Sequence, residues 1–137
     1  MKIALLLLSL VALVWSQGNN ECHCGMFITV EAGELEVHRL PPINLNDCSE
    51  ANECMLKCLE EWRFVYDNGG LDFQRPSSNL TFGEESCRTL ENRFNMPDLD
   101  PTPVYNYYKI CENPWMWDGA VSEDDLCCVS GQYPGHC

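Results

Sequence analysis

Cys22-His23-Cys24-Gly25-Met26-Phe27-Ile28-Thr29-Val30-Glu31-Ala32-Gly33-Glu34-Leu35-Glu36-Val37-His38-Arg39-Leu40 is the stretch that decides the fold. From Met26 to Glu31, and again from Glu34 to Leu40, apolar and polar residues alternate, the period of a strand with one buried face. Gly33, after Ala32, accepts positive φ, so residues 26–40 read as a β-hairpin with Gly33 in the turn or in a G1 bulge. A two-residue turn would set Val30 opposite Leu35 and Ile28 opposite Val37. Thr29, Glu31, Glu34 and Glu36 would then share the other, wet face. Pro41-Pro42 ends the second strand, because proline offers no N–H to a ladder.

Just before the hairpin, Cys22 and Cys24 stand two apart on extended chain, and Cys54 and Cys58 stand four apart on a segment that reads as a helix. Residues at either spacing share one face and lie about 6 to 7 Å apart. Two parallel bridges between these pairs would therefore clamp the strand onto the helix. The two motifs, C-x-x-x-C on a helix and C-x-C on a strand, resemble the cysteine-stabilised α/β arrangement of defensins and scorpion toxins. The order differs, since here C-x-C precedes the helix and in those peptides it follows. The likeness covers two short motifs and carries over no activity.

The remaining cysteines are Cys48, Cys87, Cys111, Cys127, Cys128 and Cys137. Ten cysteines in an exported chain imply five disulfides. Adjacent Cys127 and Cys128 should bond to different partners, because a bridge between neighbours strains the backbone. A zinc site using the C-x-C and C-x-x-x-C cysteines, Cys22, Cys24, Cys54 and Cys58, with His23 and His136 is disfavoured, since an oxidising compartment consumes thiols.

Further outward, Asp47 with Glu50 makes a capping-box-like start, with Ser49 as a rival cap, for a helix at about 48–67. Ala51, Met55, Cys58, Leu59, Trp62 and Val65 or Tyr66 form its apolar stripe, and Asn68-Gly69-Gly70 ends it. Thr81 with Glu84 is a second capping box, opening a helix at about 82–95 with Phe82, Ser86, Leu90 and Phe94 on one face. Met96-Pro97 and the prolines beyond stop it. Residues 104–111, with three tyrosines, read as a third strand joining the hairpin. The expected fold is thus α+β, a small disulfide-rich domain with a three-stranded antiparallel sheet and two helices. A short helix is expected at Ser122 to Cys128.

At the chain start, Met1-Lys2 followed by the apolar run Ile3 to Val14 reads as a secretory signal at 1–16, too short to span a bilayer. Residues 17–137 then form a single cysteine-rich extracellular domain. Losing Lys2 leaves 7 Lys and Arg against 21 Asp and Glu, a balance of −14. That charge excludes nucleic acid and anionic membrane as partners and favours an extracellular protein with a basic surface. Asn79-Leu80-Thr81 offers an N-glycosylation sequon in a polar loop.

Catalysis needs a nucleophile, a base and an orienting group. His23, His38 and His136 neighbour no nucleophile elbow or metal motif, and paired cysteines leave no thiol. A small secreted hydrolase would require a concave pocket holding a histidine with an acidic or hydroxyl neighbour. Glu123-Asp124-Asp125 and Asp98-x-Asp100 could ligate calcium weakly, but lack EF-hand spacing; Glu123 to Asp125 fit equally well as the negative first turn of the short helix. No catalytic residue, metal or cofactor is expected.

The strongest binding signal is Trp115, Met116 and Trp117 in Pro114-Trp115-Met116-Trp117-Asp118-Gly119, a segment without helical or strand period. Aromatic anchors of this kind concentrate interface energy, and Tyr133 would join them if Cys137 ties the tail back. The expectation is a secreted, disulfide-stabilised binding or signalling module acting through exposed loops. Receptor ligands, protease inhibitors and toxin- or defence-like proteins all share that plan. Burial of Trp115 and Trp117 would instead make them core.

Overall fold

The computed structural model describes residues 20–137, so the expected signal at 1–16 lies outside the described residues. Over the described residues the chain forms an α+β fold with two helices, antiparallel sheets and five disulfides. Strands β1 (Glu21–Val30), β2 (Gly33–Arg39), β3 (Ile43–Asn44), β5 (Tyr105–Ile110) and β6 (Met116–Val121) make a five-stranded sheet. Its order is β2-β1-β5-β6, with β3 pairing onto β1. Strands β4 (Leu99–Thr102) and β7 (Leu126–Cys128) form a separate pair. Helices α1 (Ala51–Asp67) and α2 (Phe82–Phe94) are joined through a 3-10 turn at Gly70–Asp72.

The sheet has five strands and not the expected three. Met116–Val121 carries Asp and Gly in place of regular alternation, and pairing with β5 imposes the extended form that its composition conceals. The helix expected at Ser122 to Cys128 is absent: residues 126–128 are β7, drawn onto β4, and the acidic run 123–125 is an exposed turn.

The hairpin forms with a different register. Glu31 and Ala32 make the turn, Gly33 opens β2 at φ +121°, and Ile28 faces Leu35. A bulge then interrupts the ladder, so that Met26 faces His38 and Phe27 faces Glu36, with Val37 as the extra residue. Two consecutive residues, Val37 and His38, consequently both turn inward and are buried. Alternation alone would have left His38 on the wet face.

Helix α1 starts at Ala51. Its N-cap Glu50 has no side-chain cap bond, because the Asp47 carboxylate instead accepts the Ser49 N–H at 2.7 Å, a local turn that competes with capping. The Thr81–Glu84 capping box does form, and Asn95 closes α2 in the left-handed region.

The core lies between the sheet and the helices. Cys22, Cys24, Met26 and Ile28 on one face of β1 meet Cys54, Cys58, Trp62 and Val65 of α1, and Phe82 and Leu90 of α2 close the far side. Disulfides Cys22–Cys54 and Cys24–Cys58 clamp β1 to α1 as the spacing predicts. Cys48–Cys111 ties the entry to α1 to the turn after β5, Cys87–Cys128 ties α2 to β7, and Cys127–Cys137 holds the tail. Among the described residues no helix is long and apolar enough to cross a membrane.

Candidate interaction face and clefts

The side of the sheet turned away from α1 carries a row of aromatic rings. Strand parity puts Tyr105 and Tyr107 of β5 and Trp117 of β6 on this face, with Phe27 of β1 behind them. Tyr105 meets Trp117 edge-on at 6.0 Å between centroids, and Phe27 lies 4.7 Å from Tyr107 and 5.1 Å from Trp115. Trp115 precedes β6, shares its outward parity, and reaches back to cover Gly25 in β1. Arg39 and Lys109 sit over its ring at 5.2 and 6.0 Å, cation–π contacts that cover an indole already half-buried. Tyr107 donates its hydroxyl proton to Glu34 at 2.6 Å. Loss of hydration there, with the carboxylate as its partner, pushes the phenol up to about 12.

Trp115 and Trp117, two residues apart, therefore differ in environment. Trp115 is packed into the sheet face, whereas Trp117 is 53% exposed and fixed by an indole N–H bond to the Ala120 carbonyl at 3.0 Å. Met116, on the opposite parity, projects from the same edge and is 52% exposed; Val121 is 45% exposed. Beneath them Asn106 is fully buried and donates to the Cys58 carbonyl at 3.1 Å and to the Asp118 carboxylate, tying β5 to α1 and β6. Burial pushes the Asp118 carboxyl up, against its hydrogen bonds from the Ala120 N–H and Asn106. The aromatic segment is thus a strand edge and not a loop. Sequence reasoning missed that Tyr105, Tyr107 and Phe27 belong to the same face; the alternation in Tyr105-Asn106-Tyr107 was the available signal.

Tyr133 is not brought to this row. Cys137 ties the tail to Cys127, and the Tyr133 ring settles over Gly83 at the start of α2, its hydroxyl donating to the Gly135 carbonyl at 3.0 Å. Asn79 is exposed in the turn before Thr81. Glu123, Asp124 and Asp125 line an acidic cleft of about 530 Å³ with Asp72 and His136. An apolar cleft of about 510 Å³ lies between Pro41-Pro42, Phe64 and Phe73.

His38 does stand in a concave pocket beside an acid, the arrangement a hydrolase would require. Its Nδ1 lies 3.0 Å from Glu85 and its Nε2 lies 3.0 Å from the Arg75 guanidinium. The guanidinium can only donate, so Nε2 accepts and Nδ1–H donates to Glu85 in a neutral ring. Desolvation dominates, and the imidazole is pulled down to about 4 despite Glu85. The nitrogen that would serve a nucleophile is therefore occupied by Arg75. His23 pairs with Glu21 at 3.4 Å on the outer face of β1. The sulfurs of Cys22, Cys54 and Cys58 converge in the clamp, but each is spent in a disulfide and offers no thiolate. Comparison of the chain with models of protein families, with curated proteins and with solved structures finds no match.

Proposed function

We propose that the protein is an exported, non-enzymatic binding module that captures an extracellular protein partner along the β6 edge. One observation carries this reading: three of the six large apolar side chains exposed among the described residues, Met116, Trp117 and Val121, lie on this one six-residue strand. Strand β6 ends the sheet order, so its outer backbone groups have no ladder partner within the sheet. An exposed apolar edge normally invites aggregation and is blunted by charge. Here it is left open, which suits addition of an extended segment of another protein, with Trp117 as its aromatic anchor. Five disulfides support the role by holding the edge in place before a partner arrives, lowering the ordering cost of association. The acidic balance of the exported chain, 7 Lys and Arg against 21 Asp and Glu, favours a partner segment rich in Lys or Arg and an association that weakens as salt rises.

The test uses oxidised protein as bait in extracellular fluid from the source, beside Trp117→Ala and a reduced sample. The expected result is one partner held by the oxidised wild type, lost on reduction, and bound at least about tenfold more weakly by Trp117→Ala. Capture unaffected by Trp117→Ala and by Val121→Lys would remove β6 from the interface.

A further inference from the structure

We propose that the cleft between β2 and α2 is a binding site for a compact oxyanion group, a sulfate or phosphate carried by a small ligand. The chain has five arginines, and four of them gather here: Arg39, Arg88 and Arg93 line the cleft, and Arg75 stands behind it on His38. In a chain with 21 acidic and 8 basic residues such a concentration sets the cleft apart from its surroundings.

The two carboxylates in the lining are already matched. Arg39 forks onto Glu36 with two bonds of 2.6 and 2.8 Å. Glu85 receives the His38 Nδ1–H at 3.0 Å and has Arg75 at 3.6 Å. Arg88 and Arg93, by contrast, have no carboxylate within ion-pair distance among the described residues; Arg93 rests only against the Phe94 ring. The cleft thus holds two spare guanidinium groups, each a planar fork of N–H donors suited to an oxyanion.

The helix supplies the geometry. Glu85, Arg88, Thr89, Asn92 and Arg93 recur at spacings of three and four, so they form one polar ridge of α2 facing the Val37–Arg39 end of β2. Thr89 and Asn92 add neutral donors between the two arginines. The volume, about 370 Å³, admits a sulfate with a sugar-sized body attached. Size and charge together disfavour a long polyanion, because beyond this cleft it would lie against a strongly acidic surface.

The test is an NMR titration of the full oxidised chain with inorganic sulfate, and separately with galactose 6-sulfate, at ionic strength held constant with chloride. Saturable shifts are expected at the amides of Thr89, Asn92 and Arg39, with a Kd of about 1 mM. The double variant Arg88→Gln/Arg93→Gln should weaken binding at least about tenfold, while Arg63→Gln on α1 leaves it unchanged. Tighter binding of the sugar sulfate assigns an ester ligand; equal binding assigns a free oxyanion. Shifts that do not saturate, or that arise equally at Arg63 and Lys57, would overturn the site, and this readout from the wild-type chain stands even if the double variant does not fold.

Discussion

Trp115 lies across Gly25: a Cβ placed on Gly25 would stand 3.1 Å from the indole Cη2, closer than packed carbons approach. Glycine at this position in β1 makes room for a ring that arrives from the far side of β5. Trp115 is therefore part of the sheet's packing, and Trp117, two residues on, is not. Trp115→Ala should lower unfolding free energy by about 2 kcal/mol, since a half-buried indole with a ring partner is removed. Trp117→Ala should stay within about 0.5 kcal/mol of wild type. Denaturant midpoints of the two variants check this directly, and equal midpoints would contradict the division of labour between the two tryptophans.

His38 makes stability depend on pH in a defined direction. Its folded value near 4 lies below the unfolded 6.5, so the unfolded chain takes up a proton first as pH falls. The contribution is complete above pH 6.5 and is lost between pH 6.5 and about 4. Each unit of separation corresponds to about 1.4 kcal/mol, giving a loss of about 3 kcal/mol across that window. The groups facing the ring are Glu85 and Glu36, which favour its protonation, and Arg75, which opposes it. Glutamine can keep both a donor and an acceptor without titrating, so the difference between wild type and His38→Gln isolates the imidazole from the carboxylates. Chemical denaturation from pH 4 to 8 should show a steeper loss in wild type than in His38→Gln, with the difference confined to the window between pH 6.5 and about 4.

How much of this was legible in the sequence depends on whether the cause was local. The Thr81–Glu84 box and the Asn95 stop are decided within one turn of chain, and both form where the residues place them. The clamp was readable because two spacings, i,i+2 on a strand and i,i+4 on a helix, happen to match in length. The bulge at Val37 is not local: it depends on Met26 facing His38 and on α2 closing over both, and no pattern within β2 announces it. Strand β6 escaped for the same reason, since Asp118 and Gly119 weaken its own propensity and pairing with β5 supplies what they lack. The oxyanion cleft joins residues about fifty positions apart, and the arginines become a group only when α2 packs beside β2.

The paired bridges of the clamp should be partly redundant. Cys22–Cys54 and Cys24–Cys58 close loops of 32 and 34 residues that nearly coincide. A single bridge of that span restricts the unfolded chain by roughly 4 kcal/mol in the chain-entropy model, but the second adds only the small loop left between them. Cys24→Ala/Cys58→Ala should therefore cost well under this figure, and replacement of all four cysteines should cost all of it or more. Thermal or denaturant unfolding of the two variants compares them. Near-equal losses would mean that each bridge acts through native packing around the buried sulfurs rather than through the unfolded chain.

Gly83 provides a case in which helix propensity and packing oppose each other. It lies in the first turn of α2, and exchange of glycine for alanine within an exposed helix stabilises by about 1 kcal/mol. Here the Tyr133 ring occupies the place of the missing methyl, with three ring carbons within 2.7 Å of where Cβ would stand. Alanine must push that ring away, and the ring belongs to a tail held at Cys137 by its bond to Cys127, so it has little room to retreat. Overpacking of this kind costs about 1 to 3 kcal/mol. Gly83→Ala should accordingly destabilise despite its better helix former, and Gly83→Ala/Tyr133→Ala should recover part of the loss as the clash disappears. A double-mutant cycle on unfolding free energies reads the coupling; additive effects would show that Tyr133 does not press on this turn.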